Sequence, residues 1–154
     1  MRAWVFDLDG TITDTRHRDH LNPRMMEGYE GNGDKWVPYS MAGDKDDAIL
    51  PVIAMMRGAP LAVNIWIITG RTNLARDLTE HWLEVNRVPH YHLWMRKEGD
   101  HRPNVELKLA RLDALESRGH SVELWVDDYP RVTKAMRKRG IPTITVACEV
   151  RDER

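Results

Sequence analysis

The chain has 154 residues, a formal net charge of -1, 42% hydrophobic residues and 31% charged ones. A chain of this length fits one domain that buries roughly 70% of the surface its unfolded form exposes, and the composition excludes a disordered segment. The near-neutral balance excludes a broad basic face coated by nucleic acid but allows a local arginine cluster around one phosphate.

Arg2 to Phe6 is a short apolar run leading into Asp7 and reads as a buried strand. Residues 10–45 are polar and glycine-rich, with Gly28, Gly31, Gly33 and Gly43 and little periodicity. So long a stretch without regular structure is uncommon in a compact domain, and usually functional. Asp46 or Asp47 is placed to cap a helix running to about Arg57, with Pro51 tolerated in its first turn. Leu61 to Ile68 is rich in β-branched residues and predicts a strand. Asn73 to about Asn86 carries Leu74, Leu78, Trp82 and Val85 at helical spacing and stops before Pro89.

His90 to Met95 predicts a short strand, and Asn104 can cap a helix through Arg118 that Gly119 closes. Ser121 to Val126 is a further strand ending at Asp127; a helix follows from Pro130 to Gly140, then a last strand from Ile141 to Ala147. Strands alternating with helices predict an α/β fold: a doubly wound, mainly parallel, five-stranded Rossmann-like sheet with right-handed crossovers. No apolar run approaches the ~20 residues of a membrane span. One cysteine, Cys148, excludes an internal disulfide. With a strand starting at Arg2 leaving no room for a secretory signal, the expected setting is cytoplasmic.

Oxygen-bearing side chains collect at three predicted strand ends: Asp7 and Asp9 after the first, Thr69 after the second, Asp127 and Asp128 after the fourth. Ligands of doubly wound sheets sit beyond the carboxyl ends of the strands, where the order reverses. With the first strand central, these five residues share one crevice. Four carboxylates there call for a cation, and an all-oxygen set without Cys or His suits a hard ion, Mg2+ when phosphate is the substrate. Asp7 can then attack phosphorus to form an aspartyl-phosphate, while Asp9 protonates the leaving oxygen and later activates water. Gly10 and Thr11 allow a tight turn that brings backbone N–H groups to the phosphate. Read singly, each motif is an ordinary turn or cap; their order, each after an apolar strand, is what points to catalysis.

These residues resemble the haloacid dehalogenase-like phosphatase superfamily over nearly the whole chain. Its first motif, Asp-x-Asp-Gly-Thr, matches Asp7 to Thr11, its second Thr69, and its acidic pair Asp127 and Asp128. Residues 94–109 are similar to the phosphatase domain of phage-type polynucleotide kinase/3'-phosphatases. In that family an Arg precedes the motif Lys by twelve positions and another by six, matching Arg96, Arg102 and Lys108, and Arg71 follows the second motif. The likeness selects Lys108 over Lys97. It implies that Asp7, the backbone carbonyl of Asp9, Asp127 and Asp128 hold Mg2+, with Asp7, Asp9, Thr69 and Lys108 catalytic. Substrate would meet Gly10, Thr11, Gly70, Arg71, Arg96 and Arg102. Two positions depart from the pattern: Asn104 stands where Asp is general, and Tyr129 where Arg is usual.

The chain has no Gly-x-x-x-x-Gly-Lys-Ser/Thr loop, so only a phosphatase is expected, in one domain over residues 1–154. By the likeness, residues 14–45 form a small lid that leaves the site open. Trp36 and Tyr39 in it either stack on a base or anchor the segment to the body. His17, His20 and His101 read as surface residues. The expected substrate is a 3'-terminal phosphate on DNA or RNA. Free nucleoside monophosphates, or a non-catalytic phosphate-binding module, are the alternatives. A separate kinase partner or a homo-oligomer is compatible with the sequence.

Overall fold

The structure, a computed structural model, describes residues 1–26 and 33–147; Gly28, Gly31 and Cys148 lie outside them. In chain order the elements begin with β1 (Arg2–Phe6), β2 (Thr13–Asp14), α1 (Trp36–Met41), β3 (Asp47–Ala48) and α2 (Leu50–Arg57). There follow β4 (Val63–Thr72), α3 (Arg76–Val85), β5 (His92–Arg96) and α4 (Asn104–Ser117). The last are β6 (Ser121–Asp127), α5 (Pro130–Lys138) and β7 (Thr143–Thr145).

Five strands form one parallel sheet in the order β5-β4-β1-β6-β7. The chain moves outward from β1 through β4 to β5, then α4 carries it back across to β6. The order therefore reverses at β1, and the carboxyl ends of β1, β4 and β6 lie side by side. This is the predicted doubly wound α/β architecture.

Side chains alternate across the sheet with the period of two that a strand imposes. Ile65 and Ile67 face a core with Phe6, Val52, Ile53, Trp82 and Leu83. Trp66 and Ile68 face the opposite core with Val5, Leu112, Leu115, Trp125 and Met136. Both faces of the central strand are thus covered, which explains why β1 is apolar without alternation. Each such side chain, once buried, contributes about 1.5–3 kcal/mol.

Several boundaries differ from the sequence expectation. β4 continues to Thr72, because after a register shift Thr72 pairs with Arg96 as Thr69 pairs with Met95. α2 begins at Leu50 with Pro51 in its first turn and no side-chain cap. Asp46 and Asp47 do not cap it: Asp47 pairs with Asp14 in an antiparallel ladder, and Asp46 is buried among arginines. Asn104 is the first residue of α4 rather than its cap, which is Pro103. The last strand is shorter than expected, at Thr143–Thr145.

The stretch expected to be irregular leaves through β2 and returns through β3. Between them its described residues carry α1 and short 3-10 segments at Arg16–Leu21 (kinked at Arg18), Pro23–Met25, Gly33–Lys35 and Ala42–Lys45. Such short i→i+3 pieces leave no 3.6-residue apolar period to read. Among the described residues no helix is long and apolar enough to cross a membrane.

Candidate active site

Asp7 directly follows β1, and its N–H donates to the Val126 carbonyl at 2.9 Å, so it stands beside the end of β6. Asp127 closes β6 and Asp128 follows it. One carboxylate oxygen from each of Asp7, Asp127 and Asp128 lies within 4.8 Å of the others. Lys108, from the second turn of α4 and 0% exposed, reaches into this group. Its Nζ donates to Asp127 Oδ2 at 2.6 Å and lies 2.9 Å from Asp7 Oδ1. Asp127 is fixed further by the Trp125 indole N–H, at 3.2 Å, and by the Tyr129 backbone N–H, at 3.1 Å.

Burial, then the charges of Asp127 and Asp128, push the Asp7 carboxyl well above the usual carboxylate range against the opposing pull of Lys108. Burial alone would lower the Lys108 ammonium, but Asp127 and Asp7 hold it above its ordinary value. Three clustered carboxylates facing one ammonium leave an excess of negative charge. A hard divalent cation fits this all-oxygen donor set.

Gly10 turns the chain at φ +79°, and a Cβ there would lie 2.2 Å from Asp128 Oδ2. Glycine therefore allows both the turn and the approach of Asp128. The Gly10 and Thr11 amides donate inside the turn, to Thr13 and Leu8 carbonyls at 2.8 and 3.2 Å. The Thr11 hydroxyl is buried and has no hydrogen-bond partner among the described residues. Thr69, two residues beyond the Phe6–Ile67 pairing and buried, accepts a hydrogen bond from the Arg71 N–H at 3.0 Å.

The Asp9 side chain points to two arginines rather than to the carboxylate cluster. Arg18 Nη2 donates to Asp9 Oδ1 at 2.6 Å, and Arg71 bonds both Asp9 oxygens, through Nε at 3.3 Å and through Nη2. Burial would raise the Asp9 pKa, but Arg71 and Arg18 together drive it below the usual carboxylate range. Both arginines also bind Asp46, and Arg71 donates to Thr79 Oγ1 at 3.0 Å.

Arg18 and Asp46 are the residues that sequence reasoning missed as parts of this centre. Arg18 sits among polar residues without periodicity, and Asp46 reads equally well as a helix cap. His17, read as a surface residue, lies 2.8 Å from Asp46 Oδ1. Tyr39 is a buried anchor with the Arg18 guanidinium 4.1 Å from its ring centroid, and Trp36 packs edge-on against it.

Arg96 and Arg102 organise the loop before α4. Arg96 donates to the carbonyls of Gly70, Asp100 and Arg102 at 3.0, 2.9 and 2.7 Å, and to Asn104 Oδ1 at 3.0 Å. Arg102 grips Asp100 through Nε and Nη2, and holds that carboxyl below its ordinary pKa. A Cβ on Gly70 would lie 2.3 Å from Asn104 Oδ1, so glycine lets α4 dock against β4. Asn104 thus serves as an acceptor for Arg96.

Known proteins bear out this reading of the fold. Residues 1–149 match the family model described as the polynucleotide kinase PNKP phosphatase domain. The solved Pnkp1/Rnl/Hen1 complex contains a chain that is 24% identical, with a TM-score of 0.77 over 94% of this chain and 45% of that one. The Pnkp1/Rnl/Hen1 RNA repair complex gives 23% identity and a TM-score of 0.74, covering 94% and 42% of the two chains. The haloacid dehalogenase-like hydrolase SP0104 from Streptococcus pneumoniae shares the fold at 14% identity and a TM-score of 0.62, over 93% and 83%. The chain therefore spans less than half of the chains it matches in the two complexes. No curated protein matches it. With the family model covering all but the last residues, the chain belongs to the PNKP phosphatase-domain family of haloacid dehalogenase-like phosphatases.

Proposed function

We propose that this protein is a Mg2+-dependent phosphomonoesterase that removes 3'-terminal phosphate from DNA or RNA through an aspartyl-phosphate on Asp7. The observation that carries the reading is the cluster of Asp7, Asp127 and Asp128 held by a fully buried Lys108. Asp7, Asp127, Asp128 and the backbone carbonyl of Asp9 would hold Mg2+, which supplies charge neutralisation at the phosphoryl oxygens. Lys108 fixes Asp7 Oδ1 and leaves the other oxygen for attack on phosphorus. Thr69 on β4, and the Thr11 hydroxyl in the turn after β1, which has no partner among the described residues, supply neutral hydrogen-bonding groups.

Asp9 is the acid and base in this reading. While Arg18 and Arg71 grip it, its proton affinity is too low for donation to a leaving alkoxide. A substrate that draws either guanidinium to its own phosphate would loosen that grip and raise the Asp9 pKa. Proton transfer would then follow substrate binding. By the family likeness residues 14–45 would serve as a small lid, whose described part also contributes Arg18 to Asp9.

The RNA repair complex in which a similar chain is found supports a nucleic-acid end as substrate and a repair partner in the same assembly. The test compares rates on a 3'-phosphorylated oligonucleotide and on free nucleoside monophosphates, each with and without Mg2+. Preferential, Mg2+-dependent release from the oligonucleotide is expected. A large preference for free nucleotides would overturn the polynucleotide reading.

A further inference from the structure

The acidic and basic residues of α4 are segregated. Asp113 and Glu116 both pair with Arg139, the residue that follows α5, at 2.7 and 3.0 Å. Asn104, Arg111 and Arg118 recur every seven residues and so share another face. Neither the Arg111 nor the Arg118 side chain has a carboxylate partner among the described residues. The Arg111 guanidinium lies 3.5 Å from the ring centroid of Trp94, on the edge strand β5. Burial, then the fields of Arg102 and Arg118, lower the Arg111 pKa, while Asp100, which Arg102 grips, opposes them. Arg111 and Arg118 therefore make up the positive charge of this face.

Between this helix face and the sheet lies a cleft of about 40 Å³ whose walls include Trp66, His92, Trp94, Arg111 and Arg118, and no acid. Trp66 is 8% exposed, and its indole N–H has no acceptor among the described residues. The cleft is too small to enclose a nucleotide, so it suits an extended ligand lying across it. Aromatic rings, with guanidinium groups that have no carboxylate partner among the described residues, match the chemistry of a single-stranded nucleic acid.

The direction of α4 ties this surface to the catalytic centre. Its amino-terminal half places Lys108 on Asp7 and Asp127, and Arg118 follows ten positions later, roughly 15 Å along the axis. We propose that the Arg111–Arg118 face of α4, with Trp94 and the cleft beneath it, holds the single strand upstream of the 3' phosphate that Asp7 attacks. This rests on the proposed polynucleotide reading and adds a strand path to it. Strands longer than about four nucleotides reach this surface, whereas a dinucleotide does not.

The experiment uses the Arg111→Ala/Arg118→Ala double variant, with Arg118→Glu at an exposed position as a second variant should the first fold poorly. Affinity for a fluorescent single strand of about 12 nucleotides with a 3' hydroxyl is measured by anisotropy across salt concentrations. Turnover is measured on the 3'-phosphorylated strand, a 3'-phosphorylated dinucleotide and p-nitrophenyl phosphate. We expect about tenfold or greater weakening of strand affinity, with a salt slope reduced by about 1–2. KM should rise for the long substrate alone, with p-nitrophenyl phosphate turnover unchanged. Unchanged strand affinity, equal loss on long and short substrates, or a changed oligomeric state with strand affinity intact would each overturn the proposal. Failure of the polynucleotide reading is distinguishable: the wild type would then cleave p-nitrophenyl phosphate and no 3'-phosphorylated strand.

Discussion

Arg18 and Asp46 form a two-pronged ion pair, Nε to Oδ1 at 2.7 Å and Nη2 to Oδ2 at 2.5 Å, with both side chains buried. They stand 28 positions apart, at the two ends of the segment that leaves and re-enters the body of the fold. Because Arg18 also donates to Asp9 and to the Tyr39 carbonyl, the pair fixes that segment and the proposed acid/base together.

Replacing Arg18 with Ala should cost about 3–5 kcal/mol, since it strands Asp46 without one of its two guanidinium partners in a buried site. Arg18→Lys should restore little, because an ammonium cannot reproduce the fork that meets Asp46, Asp9 and Tyr39 at once. Denaturant titration of the three proteins measures this. A midpoint for Arg18→Ala equal to the wild type would contradict the role assigned to the pair.

Gly10→Ala should damage metal binding more than folding. The new Cβ meets the Asp128 carboxylate and demands a left-handed backbone, which costs about 1–2 kcal/mol. Displacing Asp128 should weaken Mg2+ binding about tenfold or more. Calorimetric titration with Mg2+ alongside a thermal melt separates the two effects, and unaltered affinity would argue against Asp128 as a ligand.

Mg2+ affinity should rise as pH rises above the ordinary carboxylate range. Asp7 has a folded-state pKa raised by burial and by Asp127 and Asp128, so the folded metal-free protein binds a proton that the unfolded chain has lost. The stabilisation from that proton is complete below the ordinary carboxylate pKa and fades as pH rises through the raised one. A ligating carboxylate must give up the proton, so binding releases it. Titrations in two buffers of different ionisation enthalpy count the proton. A pH-independent affinity with no release would count against Asp7 as a ligand.

The sheet and the acidic residues at its strand ends were legible in the sequence because they depend on short-range signals. An apolar run before Asp7, a β-branched run before Thr69 and another before Asp127 each mark a strand, and alternation with helices sets them parallel. Lys108 became legible only through the family likeness, in which an Arg precedes the motif Lys by twelve positions and another by six, as Arg96 and Arg102 do here. The Arg18–Asp46 pair did not, because its partners lie 28 positions apart and the connecting 3-10 turns carry no period. The extension of β4 beyond Ile68 was hidden for a related reason: polar Thr69 and Thr72 remain paired to β5 across a register shift that no local pattern announces. Arg96, expected at the substrate by the likeness, closes the loop before α4 with four hydrogen bonds, an arrangement its residue type does not announce.

Asp7 as nucleophile is tested most directly by comparing Mg2+-dependent phosphate release by the wild type and by Asp7→Asn, which keeps the size of the side chain and removes the carboxylate. With a folded variant by circular dichroism, no turnover above background is expected on a 3'-phosphorylated oligonucleotide. Turnover by Asp7→Asn at the wild-type rate would contradict that role.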